Sequence, residues 1–238
     1  DHDDTKWWIG NQINDALQCA IAGVKGPVHI NIRLKEPLNG VCPCTPSRRA
    51  VRALPLTKSL AESDLQSLAK IFMESRRVMI LATQTQPSPR LAQMMRHFAS
   101  MPQVTVLSES ISNIGGGNVI SCIDRTITAH DGDLTADFAP DLLITFGGAP
   151  VSRMIKRFLR SHPRQHEWRI GEDSNLIDTM QHVTCLISMN CEQFFEQFLK
   201  LVSSQNFSDS YAEKWQDLNR KGRESHDVYA GSGEWTAM

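Results

Sequence analysis

The apolar positions of residues 1–38 follow two different periods. Residues 5–22 repeat apolar side chains near one helical face, which predicts an α-helix. Residues 28–34 alternate apolar with polar side chains, as in a strand with one buried face, and Pro37 ends that alternation because it cannot donate to a ladder. One helix and one edge strand bury too little surface to be a stable domain, so we expect this chain to be a piece of a larger protein. The helical apolar positions are Trp8, Ile13, Leu17 and Ile21.

The pattern changes beyond residue 57, where short apolar runs alternate with amphipathic segments. The runs predict strands at residues 78–82, 104–107, 142–146, 167–170 and 183–187. The amphipathic segments predict helices that begin at Ser63 or Asp64 and that span 91–99, 152–160 and 192–202, and a polar helix follows at 208–227. Strands that alternate with helices pair in parallel through right-handed crossovers. We therefore predict an α/β fold with a Rossmann-like, doubly wound parallel sheet.

Composition divides the chain further. Residues 39–57 are rich in proline and have no apolar period, which predicts a linker. We expect residues 1–38 to be the remnant of one domain and residues 58–205 to be the sheet domain. Residues 206–238 would then form a linker helix and the start of another domain.

Charge and cysteine usage exclude several classes of protein. The net charge of -1 gives no basic footprint for nucleic acid, and no apolar run approaches the ~20 residues of a membrane span. The only close cysteine pair, Cys42 and Cys44, lies in the linker without two further zinc ligands nearby. We expect free thiols in a reducing cytoplasm and no metal site.

Residues 141–153 are the best candidate for chemistry. A predicted strand ends before Gly147 and Gly148, and a predicted helix begins at Ser152. Ligands of open α/β sheets bind beyond the carboxyl ends of strands, where the amides at a helix start attract anions. Arg153 adds a guanidinium group that can bind a carboxylate through two hydrogen bonds. The alternative is that the glycines only let the chain turn and that Arg153 is solvated.

Three other polar segments carry weaker signals. Arg125 could join Arg153 in holding an acidic metabolite, although an ordinary surface ion pair would need no function. Residues 115–117 are three glycines without the dinucleotide fingerprint, which favours a loop. Residues 130–133, His-Asp-Gly-Asp, could be taken for metal ligands, but a polar turn is the better interpretation.

Two segments resemble one superfamily of enzymes. Residues 26–31, Gly-Pro-Val-His-Ile-Asn, followed by Glu-Pro-Leu at 36–38, resemble the end of the pyrimidine-binding domain of thiamine-diphosphate-dependent enzymes. Within that superfamily the likeness is greatest to the synthases of menaquinone biosynthesis, and the helix before it fits them as well. Residues 141–153 resemble the strand, glycine turn and basic residue of the middle domain of those synthases.

The resemblance implies a six-stranded Rossmann-like middle domain, in which Arg153 occupies the place of a basic residue that holds an acidic substrate. A common form of the motif has two adjacent basic residues, whereas this chain has Met154 after Arg153. The parent would be a homo-oligomer that uses thiamine diphosphate with Mg²⁺ or Mn²⁺ to join decarboxylated 2-oxoglutarate to isochorismate. The resemblance places the activating glutamate and the metal ligands in catalytic domains outside this chain, so we expect no catalytic residue in it and no activity from it alone.

Two alternatives stay open at this point. The sheet could bind a nucleotide, FAD or NAD, as in other thiamine-diphosphate enzymes such as acetolactate synthase-like proteins. It could also be a structural or regulatory spacer that senses a pathway product.

Overall fold

The structure, a computed structural model, describes residues 2–21, 26–33, 40, 59–172, 178–205 and 210–231. The chain divides into two compact units, residues 1–58 and 59–238. Cys42, Cys44 and all of the predicted linker except Gly40 lie outside the described residues. The predicted domain boundaries stay predictions.

Among its described residues the first unit contains one helix, α1, which spans His2–Ile21 and confirms the helix predicted there. Residues 28–33 were predicted to lie in a strand, but they have no ladder partner among the described residues and form no strand. The alternation records which side chains favour burial, whereas a strand also needs a neighbour to accept its backbone hydrogen bonds.

The second unit alternates helices and strands as predicted. Its elements are α2 Glu62–Glu74, β1 Val78–Ala82, α3 Pro89–Phe98, β2 Val104–Ser108, α4 Ile123–Thr128, β3 Leu142–Phe146, α5 Arg153–Ser161, β4 His166–Ile170, β5 Cys185–Ile187, α6 Cys191–Phe198 and α7 Tyr211–Gly231. Short 3₁₀ turns occur at Ser110–Ser112 and Ala136–Phe138. No helix of the described residues is both long and apolar enough to cross a membrane.

The five strands form one all-parallel sheet in the order β2-β1-β3-β4-β5, which confirms the predicted fold class. Every residue of β1, β2 and β3 is buried because helices cover both faces of the sheet. After β1 the chain forms β2 on one side of β1, and it then crosses to the other side of β1 to form β3. This reversal places a switch point at the carboxyl ends of β1 and β3, where ligands of such sheets bind.

A sixth strand, implied by the resemblance, is reduced to a single bridge at the outer edge of β2. Ile120 pairs in parallel with Leu107. The amide of Ile120 donates to the carbonyl of Val106, and its carbonyl accepts from the amide of Ser108, at 2.9 Å each. The chain leaves the edge of the sheet directly afterwards, because α4 begins at Ile123. The described sheet therefore has five strands rather than six.

The two faces of the sheet carry two separate cores. Phenylalanines of α2, α3 and α6 pack edge to face on one side, with ring centroids 5.4 Å apart for Phe72 and Phe198. Trp215 of α7 is the centre of the other core, where its ring meets Phe138 at 5.4 Å and Phe158 at 6.4 Å. Each core therefore packs helices against one face of the sheet.

Some boundaries differ from the predictions for local reasons. Helix α2 begins at Glu62 with Ala61 at its N-cap, so Ser63 and Asp64 lie inside the helix and do not cap it. Helix α4 was not predicted, because it has only six residues and so lacks a full apolar period. Helix α7 packs on α4, where Thr126 donates to the buried side chain of Asn219 at 3.1 Å.

Candidate anion-binding site

An open cleft of about 510 Å³ lies at the carboxyl edge of the sheet. Three segments line it, namely residues 108–111 at the end of β2, 121–125 at the start of α4 and 151–153 at the start of α5. The cleft brings together three of the residues predicted from sequence, Arg125, Ser152 and Arg153. Gly147 and Gly148 do not line it.

Ser152 is the N-cap of α5. Its hydroxyl oxygen accepts from the backbone amide of Ile155 at 3.2 Å and donates to the carboxylate of Asp124. The side chain is buried. Ser152 therefore fixes the start of α5, and its hydroxyl is already engaged by two partners.

Arg153 is the first residue of α5 and is exposed at the cleft. Its side chain forms no hydrogen bond or ion pair with the residues that the structure describes. Arg125 enters the same cleft from α4 and is half-buried, and its Nε has no hydrogen-bond partner within the described ranges. The cleft is thus lined by two guanidinium groups whose charges are not neutralised by a neighbouring carboxylate at ion-pair distance.

Gly147 lets the loops after β1 and β3 approach each other. Its φ is +91°, and an added Cβ would lie 2.7 Å from the carbonyl oxygen of Gln84 and 2.8 Å from the hydroxyl of Thr83. The amide of Gly148 donates to the same Gln84 oxygen at 2.9 Å, and Arg169 of β4 donates to the carbonyl of Gly147. The glycines shape the turn that leads to α5, and a ligand contact for either of them stays a prediction.

Glu109 is a residue of the cleft that sequence reasoning missed. Its Oε1 accepts from the backbone amides of Val151 at 2.6 Å and Ser152 at 2.8 Å, so a carboxylate of the protein lies at the start of α5. The residue is only 8% exposed. A lone glutamate more than forty residues before α5 carries no sequence signal for this contact.

A second polar group lies near the amino end of β4, away from the cleft. Arg164 and Glu167 form an ion pair with Nε 3.0 Å from Oε2, and their side chains are 0% and 1% exposed. Burial raises the pKa of Glu167, an effect that the charge of Arg164 opposes, and burial lowers the pKa of Arg164. Both side chains of the pair are closed to solvent.

The other candidate segments lie outside this cleft. Residues 130–133 form a bend in which His130 is half-buried and the other three residues are exposed, and Asp133 pairs with Arg157 at 3.0 Å. Burial raises the pKa of Cys191 to about 11, so its thiol is protonated at neutral pH. Within the described ranges no three His, Cys, Asp or Glu side chains cluster as metal ligands would.

The turns at the carboxyl edge also lack a dinucleotide fingerprint. Residues 83–88, which follow β1, contain no glycine, although the phosphate-binding turn of a dinucleotide fold lies after the first strand. Gly116 and Gly117 have positive φ and pack against the side chain of Arg96, which donates to the carbonyl of Gly115 at 3.1 Å. They form a turn beside α3, as the loop interpretation predicts.

Comparison with known proteins gives relatives of one name. The chain is 31% identical to the 2-succinyl-5-enolpyruvyl-6-hydroxy-3-cyclohexene-1-carboxylate synthase of Porphyromonas gingivalis, over 98% of this chain and 41% of that protein. It is 32% identical to the synthase of the same name from Flavobacterium johnsoniae, over 83% of this chain and 36% of that protein. A third, from Desulfotalea psychrophila, is 30% identical over 84% of this chain and 38% of that protein.

The chain therefore spans about two fifths of the length of the curated relatives that it matches. No family model matches the chain.

Proposed function

Because the chain belongs to the family of 2-succinyl-5-enolpyruvyl-6-hydroxy-3-cyclohexene-1-carboxylate synthases, we propose that it forms the central sheet domain of such an enzyme. The similarity extends over 98% of the chain but over only 41% of a full-length relative, which leaves most of the parent to other domains. The five-stranded parallel sheet supports this assignment, since the resemblance implies a Rossmann-like domain between two catalytic ones.

The parent would decarboxylate 2-oxoglutarate and transfer the remaining unit to isochorismate. Thiamine diphosphate, bound with Mg²⁺ or Mn²⁺, would supply the stabilised carbanion that this chemistry needs. By the resemblance, the cofactor and its metal would be held by the parts of a homo-oligomeric enzyme that lie outside this chain. The role of this chain is to bind and orient acidic substrate.

The observation that carries this role is the presence of Arg125 and Arg153 in one cleft at the carboxyl edge of the sheet. Both substrates carry carboxylates, and guanidinium groups bind carboxylates through charge-assisted hydrogen bonds. Met154, which stands where the family motif has a second basic residue, packs against the core of Trp215. Arg125 supplies the second positive charge from another helix instead.

The test is calorimetric titration of isochorismate into the purified chain and three variants. We expect weak binding by the unaltered chain, loss of binding in Arg153→Ala and weaker binding in Arg125→Ala. Arg157→Ala is the matched control, because Arg157 lies on the same helix but pairs with Asp133 outside the cleft. Equal binding by Arg153→Ala and Arg157→Ala, or no binding by any of the four proteins, would contradict the proposal.

A further inference from the structure

The carboxylate of Glu109 lies where a helix start would bind an acidic ligand. Its Oε1 accepts from two successive backbone amides, those of Val151 and Ser152, at 2.6 and 2.8 Å. Successive amides at the start of a helix form a site that favours negative charge. The side chain of Glu109 therefore accepts from amides at the helix start, where the sequence predicted that a ligand would bind.

The other oxygen of Glu109 is poorly satisfied. Oε2 is buried and has no hydrogen-bond partner within the described part of the chain. Glu109 also lies in the same cleft as Arg125 and Arg153 without forming an ion pair with either one in that part of the chain. A buried carboxylate oxygen without a partner loses the hydration it has in water, so the contact at α5 is weaker than its two hydrogen bonds suggest.

Only the side chain of Glu109 has to move to release the amides. The backbone is fixed at both sides of the residue, since the amide of Glu109 donates to Ala82 at 3.0 Å and its carbonyl accepts from Ser112 at 2.8 Å. Rotation about side-chain torsions, which have several staggered minima, is sufficient to carry the carboxylate out toward the cleft.

We propose that Glu109 is an exchangeable internal ligand, whose carboxylate holds the amides of Val151 and Ser152 until a carboxylate of the acidic substrate displaces it. The incoming group then accepts from those amides and from the guanidinium groups of Arg125 and Arg153. This inference rests on the proposed function and identifies the carboxylate subsite within it. The ligand class is a small dicarboxylate, of which 2-oxoglutarate is the probe.

The experiment compares binding of 2-oxoglutarate by the unaltered chain, Glu109→Ala, Glu109→Gln and Asp124→Asn. Glu109→Ala removes the internal ligand and frees the amides, and we expect it to bind roughly tenfold more tightly, the worth of one hydrogen bond to a charged group. Asp124→Asn removes a negative charge from the same cleft but leaves Glu109 in place, so it measures the effect of charge alone. It and Glu109→Gln, whose amide oxygen can still accept from α5, should gain only about twofold to threefold. The dimethyl ester of the probe is the uncharged control.

The amide signals of Val151 and Ser152 in ¹⁵N-labelled chain give a second measurement that does not depend on whether the alanine variant folds. Saturating 2-oxoglutarate should shift both signals in the unaltered chain, and unchanged signals would overturn the exchange. An alanine variant that binds no more tightly than Asp124→Asn would also overturn it.

The two proposals fail in different ways. Binding that is lost in Arg153→Ala but not improved in Glu109→Ala contradicts the exchange alone. Improved binding in Glu109→Ala that survives Arg153→Ala contradicts the role of Arg153 and keeps the exchange. Absence of binding by every variant contradicts both.

Discussion

Two glutamates at opposite ends of the sheet show how surroundings decide what a carboxylate does. Glu167, near the amino end of β4, is 1% exposed and pairs with an Arg164 side chain that is 0% exposed. Glu109, at the carboxyl end of β2, is 8% exposed and lies in an open cleft, where backbone amides are its partners. The first carboxylate has an ionic partner and is closed to solvent, whereas the second lines the cleft and has no ion-pair partner among the described residues.

The difference indicates that the two ends of the sheet have different roles. An ion pair sealed in the interior is costly to break, because either partner left alone is an uncompensated buried charge. A carboxylate held only by amides beside a cleft can be replaced by another carboxylate, because the displaced side chain can rotate out to solvent in the cleft. Under the proposed function, the buried pair at the amino end of the sheet would support structure and the carboxyl end would bind the ligand.

The largest expected effect comes from breaking the buried pair. Arg164→Met keeps most of the side-chain volume but leaves the carboxylate of Glu167 buried without its ionic partner. We expect this substitution to lower the free energy of unfolding by about 3–5 kcal/mol. Urea denaturation of the unaltered chain and of the variant measures this loss of stability. Arg157→Ala, which breaks an exposed pair with Asp133, is the control and should change stability by ~0–1 kcal/mol. A loss below that of the control would show that the buried pair does not support the structure.

A smaller effect is expected at the turn that carries the cleft. Gly147→Ala places a Cβ 2.7 Å from a backbone oxygen at a φ of +91°, and we expect a loss of about 2 kcal/mol together with weaker binding of isochorismate. Gly132→Ala has the same sign of φ (+80°) but meets no atom within 4 Å, so it separates backbone strain from collision. Equal losses in the two variants would mean that the close approach of the two loops is unimportant.

The smallest expected effect is the dependence of stability on pH that Glu167 contributes. Its pKa in the folded protein is raised above the ordinary 4.5, so the folded state binds more protons than the unfolded state just above that pH. The contribution of Glu167 to stability is therefore fully present below pH 4.5 and is lost as the pH rises through the raised pKa.

Unfolding curves of the unaltered chain and of Glu167→Gln between pH 4 and 8 check this sign. We expect the difference in unfolding free energy between the two proteins to shift against the unaltered chain as the pH rises. Glu109→Gln, measured in parallel, tests whether the behaviour is particular to the buried pair. A difference curve for Glu167→Gln that is flat across this range would contradict the pKa shift.

The first three strands of the sheet could be predicted from the sequence because they are largely apolar on both faces, a pattern that needs no knowledge of partners. Arg153 and the start of α5 could be predicted for a similar reason, since the strand, the glycines and the helix follow one another along the chain. Glu109 could not, because its contact with Ser152 joins residues 43 positions apart. Nor could the Arg164–Glu167 pair, because charged residues three apart are equally typical of an exposed surface.

The strand predicted at residues 28–33 was wrong, although the sequence pattern there was strong. Its alternation was clear, but the hydrogen-bonding neighbour that a strand needs is not encoded in the segment itself. Helix α7 is an intermediate case. Its polar composition suggested a linker. The helical spacing of Tyr211, Trp215 and Leu218 nevertheless gives it an apolar face, and that face packs on the sheet domain.

The most direct test of the central claim is an NMR titration of isochorismate into the chain with ¹⁵N-labelled arginine, following the Nε–H signals. The account predicts that the signals of Arg125 and Arg153 shift together as the ligand is added, while that of Arg157 stays unchanged. Shifts confined to arginines outside the cleft, or no shift at saturating ligand, would contradict the claim that this cleft holds the acidic substrate.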